Sequence, residues 1–469
     1  MLISRRSFVS GSSAAAMLSP RVVAAPGGVF RPEQFGARGD GISNDSCAFA
    51  ALSAEVNRRG GGTIILGRHR TYVIGRQQLG GDYGWTPLPV LEFRQLSRPL
   101  YILGNCARLR CASGLRYGTF DPVTGVPVQR PMPNYQVSEV ATPYRAMIFI
   151  GGCSGPVEVR DIDLDGNVER LEIGGPFGDV GWQIPATGLI LEENIGPETI
   201  SNVLSQRHAQ DGAIVIGAAE RRGRGRISRL AARYNGRQGL SMAAGCLYDF
   251  EDCEFSHTGR SKVRSAPGAG VDIEAERRPI RNVTFTRCKF VDNAGIGMVA
   301  DSGDSQVALF TDCLFVGSTT WSAWPYKPHF TFRGCTFVGA VVHAFSDPDP
   351  TRATRFIDCD FTDDPSRSPS GKVYLGNGPI VNLAVSDNVL FDACIFRLVN
   401  DGTLPWTWRA IYRNCTMSQR SPVKATPKGR YVGRSTISGN VDLYGSMIQG
   451  ELTVNGAAIA QGSQGGPPW

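Results

Sequence analysis

The segments Asp312-Cys313-Leu314-Phe315 and Gly334-Cys335-Thr336-Phe337 decide the fold, because their pattern recurs along the second half of the chain. In every copy a cysteine stands two residues before an aromatic residue or a methionine. Side chains two positions apart on a strand point to the same face, so each copy places two apolar groups on one face. The other copies are Asp252-Cys253-Glu254-Phe255, Arg287-Cys288-Lys289-Phe290, Asp358-Cys359-Asp360-Phe361, Ala393-Cys394-Ile395-Phe396 and Asn414-Cys415-Thr416-Met417.

The spacing of these cysteines indicates a solenoid. Successive members are 35, 25, 22, 24, 35 and 21 residues apart, so each interval fits one turn of stacked chain and the longer ones leave room for loops. Stacking at ~4.8 Å would align the cysteines and the aromatic residues as inward ladders. We expect these thiols to be reduced and buried, because buried cysteine behaves as a small apolar residue. Disulfide bonds or metal sites are the alternative, which the absence of compact Cys/His spacing disfavours.

A second recurring element predicts another strand in the same turns. It begins with a glycine, interpreted as a corner residue, and continues with apolar residues at alternate positions. Helical periodicity is missing over residues 150–455, which argues against a helical solenoid. One helix is predicted near Cys47 to Arg58, on a face with Ala48, Ala51, Leu52 and Val56, where it would cover the open end of the solenoid. Copies of the strand are Gly188-Leu189-Ile190-Leu191, Gly239-Leu240-Ser241-Met242, Gly270-Val271-Asp272-Ile273-Glu274 and Gly295-Ile296-Gly297-Met298.

The two ends of the chain are predicted to lie outside the solenoid. Residues 1–25 carry Ser4-Arg5-Arg6-Ser7-Phe8, an apolar run and Val22-Val23-Ala24-Ala25, a pattern typical of a twin-arginine export signal. Its removal would lower the formal net charge from +7 to +4, a balance too mild for a nucleic-acid partner. Residues 460–469 are expected to form a flexible tail. The domain is therefore placed at 26–459, with an N-terminal cap region at 26–80.

Three segments near the N-terminus carry a family resemblance: Phe35-Gly36-Ala37-Arg38-Gly39-Asp40-Gly41-Ile42-Ser43-Asn44-Asp45, Gly60-Gly61-Gly62-Thr63-Ile64-Ile65-Leu66 and Thr71-Tyr72-Val73-Ile74-Gly75. They resemble the N-terminal cap of the pectate-lyase-like superfamily, which includes rhamnogalacturonases, polygalacturonase-like hydrolases, epimerase-like proteins and phage tailspikes. The resemblance covers about residues 30–455. It implies an all-β, single-stranded right-handed parallel β-helix with an N-terminal capping helix, and carbohydrate as the ligand.

The resemblance does not fix the reaction. In the opening motif, Asn44 separates the second acid, Asp45, from the Gly-Asp-Gly. The catalytic motifs of the polygalacturonases are missing; Gln210-Asp211-Gly212 and His257-Thr258-Gly259 match them only in part. No arginine-containing signature of the pectate lyases is present either. The catalytic residues must therefore be sought in the sequence itself.

Asp272 and Glu274 form the best candidate catalytic pair. Inward Val271 and Ile273 would turn both acids to the outer face of one strand, with residues two apart separated by roughly 6.5–7 Å. Inverting glycosidases use carboxyl groups ~6.5–9.5 Å apart, so this spacing permits hydrolysis. Two solvated surface charges are the alternative interpretation.

A basic loop precedes this strand and supports a different reaction. His257 is a candidate proton-transfer group and Arg260 a candidate ligand for an acidic sugar, with Lys262 and Arg264 beside them. A base and a cation of this kind would suit β-elimination next to a uronate carboxylate. The alternative is an ordinary basic surface loop.

The turns next to the carboxylate pair supply candidate substrate contacts. Arg237, Gln238 and Ser241 precede the pair by one turn, and Asp211 precedes it by two, so all would line one groove if the strands stack in register. Asp301 and Asp304 follow on the other side, where turn roles are equally plausible.

Two further clusters have candidate roles. Trp321 and Trp324 in one loop, and Trp406 and Trp408 in a later one, offer flat faces on which sugar rings stack. Packing of these rings against the solenoid is the alternative. Asp161, Asp163 and Asp165 share a strand face in the sequence pattern and could hold Ca²⁺, although a solvated strand explains them equally well. No other metal or cofactor is expected.

The sequence thus predicts an exported, periplasmic or secreted enzyme that cleaves glycosidic bonds in a polysaccharide. Hydrolysis is slightly favoured over elimination because of the Asp272/Glu274 spacing. A polysaccharide lyase, a polymer epimerase or a non-catalytic glycan-binding surface protein are the alternatives. The expected partner is a polysaccharide or oligosaccharide, with no nucleic acid and, after removal of the signal, no membrane.

Overall fold

Each turn of the chain in the computed structural model adds one strand to each of three parallel sheets, which run along a common axis. The structure describes residues 27–80, 84–129, 137–177 and 181–465, so the predicted signal peptide at 1–25 lies outside the described residues. One rule explains the three sheets: each strand pairs in parallel with the equivalent strands of the turns before and after it. The fold is the right-handed parallel β-helix that the sequence predicted, the hand that parallel crossover connections take.

Sheet 1 carries the second recurring element of the sequence. Its strands pair in parallel from the first to the last, with one shift of register between Val215 and Ile216. They are Leu91–Arg94, Ala146–Gly151, Thr187–Glu192, Asp211–Ile216, the first part of Gln238–Glu251, Ala269–Ile273, Met298–Ala300, Ala323–Pro325, Val341–Val342 and Val381–Asn382.

Sheets 2 and 3 follow sheet 1 in each turn, and four long strands bend from one sheet into the other. Those four are Leu100–Cys111, Val157–Asp165, Glu198–Gln206 and Gly225–Arg233, while Gln238–Glu251 bends from sheet 1 into sheet 2. Sheet 2 also contains Val29–Phe30, Gly62–Ile65, Ala275–Thr286, Gly303–Thr311, Phe330–Arg333, Arg355–Ile357, Leu390–Asp392, Thr407–Arg413, Pro427–Val432, Met447–Ile448 and Gly462–Ser463. Sheet 3 also contains Asp40–Asn44, Thr71–Ile74, Glu254–Ser256, Lys289–Val291, Leu314–Val316, Thr336–Val338, Asp360–Thr362, Ile395–Leu398, Thr416–Gln419, Arg434–Ser438, Glu451–Val454 and Ala457–Ile459.

The cysteine ladder is confirmed, with one change in its local geometry. All seven ladder cysteines are buried and free. The cysteine precedes its sheet 3 strand and lies at the corner, because the residue before it adopts positive φ, as Asp312 does at 53°. Each thiol from Cys288 onward donates to the carbonyl oxygen of an aromatic residue one turn earlier, for example from Cys313 Sγ to Phe285 at 3.4 Å. Burial raises the pKa of the Cys415 thiol to about 12, so it stays protonated.

Two phenylalanine ladders run beside the cysteines, and the sequence reading identified only the one that follows each cysteine. The other lies three residues before each cysteine, at the end of sheet 2. Phe310 stacks between Phe285 and Phe332, with ring centroids 4.9 and 4.7 Å away. The repeat is therefore Phe-x-x-Cys-x-Phe, and its first aromatic positions are Phe250, Phe285, Phe310, Phe332, Phe356, Phe391 and Tyr412.

The glycines of sheet 1 are required for close approach, which corrects their interpretation as corner residues. A Cβ at Gly239 would lie 2.5 Å from the carbonyl oxygen of Gly270, and one at Gly270 would lie 2.5 Å from that of Gly297. Neither Gly239 nor Gly270 has the positive φ that a corner glycine would need. The register also shows that Gly297, and not Gly295, is the aligned member.

Helix α1 spans Ser46–Arg59, close to the predicted bounds, and begins after the N-cap Asp45. Its buried face includes Phe49, whereas Ala51, predicted for that face, is exposed. The helix packs on the first strand of sheet 1, whose only strand partner in the described chain is Ala146–Gly151.

Two polar side chains on the inner face of α1 form hydrogen bonds with the main chain at the unpaired edge of that first strand. Asn57 Nδ2 donates to Glu92 O at 2.7 Å, and Ser53 Oγ accepts from Glu92 N at 3.1 Å. The helix therefore supplies the hydrogen bonds that another turn would have made.

Short strands outside the three main sheets, several of them paired antiparallel, occur toward both ends of the chain. Near the N-terminus a small sheet contains Gln77–Leu79, Trp85–Pro87, Arg116–Thr119, Val140–Ala141 and Glu172–Ile173. Four 3-10 helices also occur among the described residues: Pro32–Phe35, Val137–Glu139, Val168–Arg170 and Pro365–Arg367. At the other end, Gly462–Ser463 pairs antiparallel with Met447–Ile448. Part of the predicted tail at 460–469 is thus a strand, and residues 466–469 lie outside the described residues.

Candidate active site

The outer face of sheet 1 brings the candidate residues into one column. Ser241, Asp272, Val299 and Trp324 are aligned in successive turns. The column continues through Val342 to Asn382 and Trp406. Five steps of ~4.8 Å separate Asp272 from Trp406, so the column is about 24 Å long.

Asp272 is the most perturbed acid of this column. Its inward neighbours Val271 and Ile273 are buried in the core, which turns Asp272 outward as predicted. The alternative interpretation, a solvated surface charge, is wrong for Asp272, because the residue is only 1% exposed. Burial first, and then the negative charge of Glu274, raise the pKa of Asp272 to about 9. Asp272 is therefore a neutral acid at neutral pH.

Glu274 lies two residues further on, at the corner where sheet 1 ends, and is half-buried. Its backbone N–H donates to Met242 O at 2.9 Å, which fixes its position relative to the preceding turn. Burial raises the pKa of Glu274 as well; a side-chain hydrogen bond with Asp272 lowers it in part, and the carboxylates of Glu276 and Asp301 raise it again. The pair therefore joins a buried neutral acid to a more accessible carboxyl group.

A hydrogen-bonded network holds Asp272 from the turn below. Gln238 Nε2 donates to Asp272 Oδ2 at 2.5 Å, and Gln238 Oε1 accepts from Arg237 Nη2 at 3.2 Å. Arg237 in turn binds both carboxylate oxygens of Asp211, at 2.9 and 2.6 Å. The other oxygen of Asp272, Oδ1, is buried and accepts no hydrogen bond from a described donor. The Asp272 carboxyl group also shares a side-chain hydrogen bond with Glu274, which raises the pKa of Asp272 further.

This network changes the roles predicted for its members. Asp211 and Gln238 are fully buried, and Arg237 is largely buried and committed to Asp211 and to Gln183 Oε1 at 3.0 Å. Ser241 is almost fully buried beneath Asp272. These residues are therefore placed to position Asp272, and the predicted direct contact with substrate stays a prediction.

The basic loop does not join the carboxylate pair. His257 stacks on Tyr234 with ring centroids 4.6 Å apart, at the corner between sheets 3 and 1. Burial lowers the pKa of His257, and the largest charge effects on it come from Asp292, Glu254, Arg233 and Arg260, whereas the largest on Asp272 come from Glu274, Arg237 and Asp301. The structure therefore places His257 in a different charge cluster from Asp272.

The cations of this loop hold the loop itself in place. Arg260 Nε donates to Asp292 O at 3.2 Å and its Nη2 donates to Thr319 Oγ1. Lys262 Nζ donates to Leu171 O at 2.6 Å, and Arg264 Nη2 to Ala294 O at 3.4 Å. These contacts support the alternative interpretation of the loop as a structural one.

Aromatic side chains line the far part of the column. Trp321 and Trp324 meet edge to face, with centroids 5.3 Å apart, and Trp324 lies 4.5 Å from the ring of His343. A pocket of about 320 Å³ opens beside them. Trp321 and His343 belong to its wall together with Ala340, Val342, Tyr374, Leu375, Gly376, Asn377, Asn382, Ala384 and Trp406.

A second pocket of about 190 Å³ continues this groove beyond Trp406. Its wall includes Trp408 and Lys428, and the Lys428 ammonium lies 5.5 Å from the Trp408 ring centroid. Trp406 is 48% exposed and borders both pockets, so the groove presents a continuous aromatic surface.

The three aspartates considered for calcium are not assembled into one site. Asp161 adopts a positive φ of 57° at the bend between sheets 2 and 3, so it does not share a face with the other two. Each carboxylate instead pairs with an arginine: Asp161 with Arg160, Asp163 with Arg108, and Asp165 with Arg207. Within the described ranges no group of three or more His, Cys, Asp or Glu residues could hold a metal ion.

Several site residues were missed at the level of sequence. Gln183, His343 and Tyr374 lie in loops of unequal length, and Glu276 and Asn382 lie on strands outside the two repeated patterns recognised in the sequence. Trp324 was predicted as a sugar contact, and a register based on the Phe-x-x-Cys-x-Phe repeat would also have placed it in the column of Asp272, because each sheet 1 strand follows its repeat after one corner. Asn382 follows the long loop after Asp363, where that signal ends.

Known proteins are similar to this chain only at the level of solved structures, at low sequence identity. No family model matches the chain, and no curated protein matches it. Among solved structures, the Azotobacter vinelandii mannuronan C-5 epimerase AlgE6 A-module is 14% identical, with a TM-score of 0.47, over 94% of this chain and 100% of the other. The AlgE4 A-module from the same organism is also 14% identical, with a TM-score of 0.43, over 90% and 96%.

A phage protein is similar at a comparable level. The tailspike gp49 of Acinetobacter baumannii bacteriophage Fri1, a capsular polysaccharide depolymerase, is 11% identical, with a TM-score of 0.39. The match covers 88% of this chain and 58% of the tailspike. No described helix is long and apolar enough to cross a membrane. On the evidence of its own strand pairing, this chain is a parallel β-helix protein, with the fold that its resemblance to the pectate-lyase-like superfamily implied.

Proposed function

We propose that this chain is a carbohydrate-active enzyme that hydrolyses glycosidic bonds of a polysaccharide lying along the outer face of sheet 1. The single observation that carries the proposal is the pairing of a neutral, buried Asp272 with Glu274 at one end of an aromatic groove. The similar epimerase modules and the tailspike are described as polysaccharide-acting proteins, but the case for this chain rests on its own groove.

In this proposal Asp272 is the general acid. A carboxyl group whose pKa is raised to about 9 keeps its proton at neutral pH and can give it to the departing glycosidic oxygen. Gln238 holds Oδ2 in place and so fixes the orientation of the carboxyl group, whose Oδ1 accepts no hydrogen bond from a described donor.

Glu274 supplies the second carboxyl group. As a carboxylate it takes a proton from water while that water attacks the anomeric carbon, and the glycosidic C–O bond breaks as Asp272 protonates the leaving oxygen. The result is one new reducing end and one new hydroxyl group per water consumed. The aromatic groove would hold the polymer across several sugar units during this step.

The test compares turnover of three variants on a panel of polysaccharides. Asp272→Asn and Glu274→Gln should each lower the release of reducing ends by about 10²- to 10⁴-fold, the usual contribution of one acid or base. Asp312→Asn is the matched control, because Asp312 is an exposed acid at the corner between sheets 2 and 3 and asparagine tolerates its positive φ.

Ultraviolet absorbance of the same digests separates hydrolysis from elimination. Unsaturated uronate products, together with loss of activity in His257→Ala and its retention in Asp272→Asn, would establish elimination instead. Full activity in both carboxylate variants would show that this column is not the active site.

We further propose that the protein is exported through its twin-arginine signal. The proposal rests on the Ser4-Arg5-Arg6-Ser7-Phe8 pattern alone. Replacing Arg5 and Arg6 together by lysine should retain the protein in the cytoplasm of a bacterial host, as measured by cell fractionation. Unchanged export of that variant would contradict the proposal.

A further inference from the structure

The charge around Asp272 is negative and largely uncompensated. Glu274, Glu276 and Asp301 all act electrostatically on this site, and none of them forms an ion pair with a described residue. Arg237 is the cation that lowers the pKa of both acids, and its charge is matched by the bidentate contact with Asp211. A substrate carboxylate bound beside Asp272 would therefore face like charges, and the Arg237 charge that acts on this site is already paired.

The cations that the sequence offered for an acidic sugar are already bound elsewhere. Arg260, Lys262 and Arg264 donate to main-chain carbonyl oxygens of the protein framework. Arg278, which follows the catalytic strand, pairs with Glu193 at 2.8 Å, and Arg277 pairs with Glu192 at 3.4 Å. Recognition of uronate carboxylates by any of them would require these contacts to break.

The larger pocket of the groove has the chemistry of a neutral sugar site. None of the residues that form its wall is Asp, Glu, Lys or Arg. Trp321 and Trp406 give it flat apolar faces, and the carboxamides of Asn377 and Asn382 have no hydrogen bond to the described residues. Carboxamides donate and accept at once, which suits sugar hydroxyl groups.

We propose, resting on the proposed function of this groove, that its substrate is an uncharged polysaccharide and not a uronate polymer. The neutral sugar rings stack on Trp321 and Trp406 and bond to Asn377 and Asn382. The glycosidic oxygen to be cleaved meets Asp272, five turns of ~4.8 Å away from Trp406 along the column. The unpaired carboxylates of Glu274, Glu276 and Asp301 exclude anionic polymers from the same path.

Binding is measured on the Asp272→Asn protein, which cannot turn the ligand over and keeps the neutral charge that Asp272 has at pH 7. The probes are hexasaccharides of uncharged α-glucan, β-glucan, mannan and xylan, and the hexamers of galacturonate and mannuronate. Isothermal titration is carried out at low and high salt. The best neutral probe should bind at least tenfold more tightly than either uronate, with an affinity that salt leaves unchanged.

Two further variants in the Asp272→Asn protein separate charge from stacking. Neutralising Glu276 and Asp301 together, as Glu276→Gln and Asp301→Asn, should strengthen uronate binding several-fold and leave the neutral probe within about twofold. Trp406→Ala should weaken the neutral probe about tenfold. Asp312→Asn is the control and should change neither affinity.

The proposal is overturned if a uronate binds as tightly as the best neutral probe, including the case in which neither binds. It is also overturned if the double neutralisation leaves uronate binding unchanged. Its failure differs from that of the proposed function: tight neutral binding, with no new reducing ends made by the wild-type protein, would reject the hydrolase and retain the uncharged ligand.

Discussion

The inner ladders of sheets 2 and 3 and the outer column of sheet 1 obey opposite rules. From Phe250 to Phe391 the ladder before each cysteine contains phenylalanine in every turn, and each ring stacks on the next. Over the same turns the outer column changes from Ser241 through Asp272, Val299 and Trp324 to Asn382. The interior must repeat because each turn has to fit the one below it. The outer face carries no such constraint, so it is free to hold a site.

The largest expected effect comes from placing a charge in the inner ladder. Cys313→Asp should lower the free energy of unfolding by about 4 kcal/mol or more, because a buried carboxylate finds no cation there. Chemical denaturation measures the change. Cys313→Ala is the control, since it removes the thiol without adding a charge and should cost far less. Equal stability of the two variants would contradict the ladder.

The next effect tests the stacking of the phenylalanine rings. Phe310→Ala should cost about 3–5 kcal/mol, because it leaves a cavity between Phe285 and Phe332. The neighbouring Leu309→Ala is the matched control: Leu309 is outward and 38% exposed, so its loss should cost less than about 1 kcal/mol. Similar losses from both would mean that inner and outer positions are equally packed.

The outer column should make the free energy of unfolding depend on pH. Asp272 has a pKa of about 9 in the folded protein against an ordinary value of 3.8, so between these values the folded state binds more protons than the unfolded state. Stability from this group is therefore complete below about pH 4 and falls as pH rises toward 9.

Asp272→Asn removes that titration and should flatten the curve of unfolding free energy against pH, by on the order of a few kcal/mol over this range. Glu274, Arg237 and Asp301, the charged groups that act on Asp272, are the same in both proteins. Parallel pH–stability curves for the wild type and the variant would contradict a neutral Asp272.

The last prediction concerns the number of cysteine thiols that react with a reagent in native and in denatured protein. Native protein should react rapidly at about two cysteines, Cys47 and Cys106, which are exposed, and denatured protein at all twelve. Titration with a thiol reagent, followed by intact-mass measurement, gives both numbers. Fast labelling of the ladder cysteines in native protein, or a denatured count far below twelve, would show that they are accessible or oxidised.

The local repeat made the fold predictable, and its limits explain what was missed. Cys313 and Phe315 point inward because alternation on a strand fixes their faces, and that rule needs no knowledge of neighbours. The role of Gly270 could not be found in this way, because it depends on the carbonyl oxygen of Gly297 in the next turn. The burial of Asp272 was missed for the same reason: alternation gives its direction and says nothing of what lies around it.

The sequence by itself determined the solenoid, its inward ladders, the N-terminal helix and the outward direction of Asp272. Each of these follows from spacing along one strand or one helix. Only the tertiary structure decided which carboxyl group is neutral, which arginine is already paired, and that His257 stands apart from the carboxylates. Those properties depend on distances between residues from different turns and loops, and the loops vary in length, so no period in the sequence encodes them.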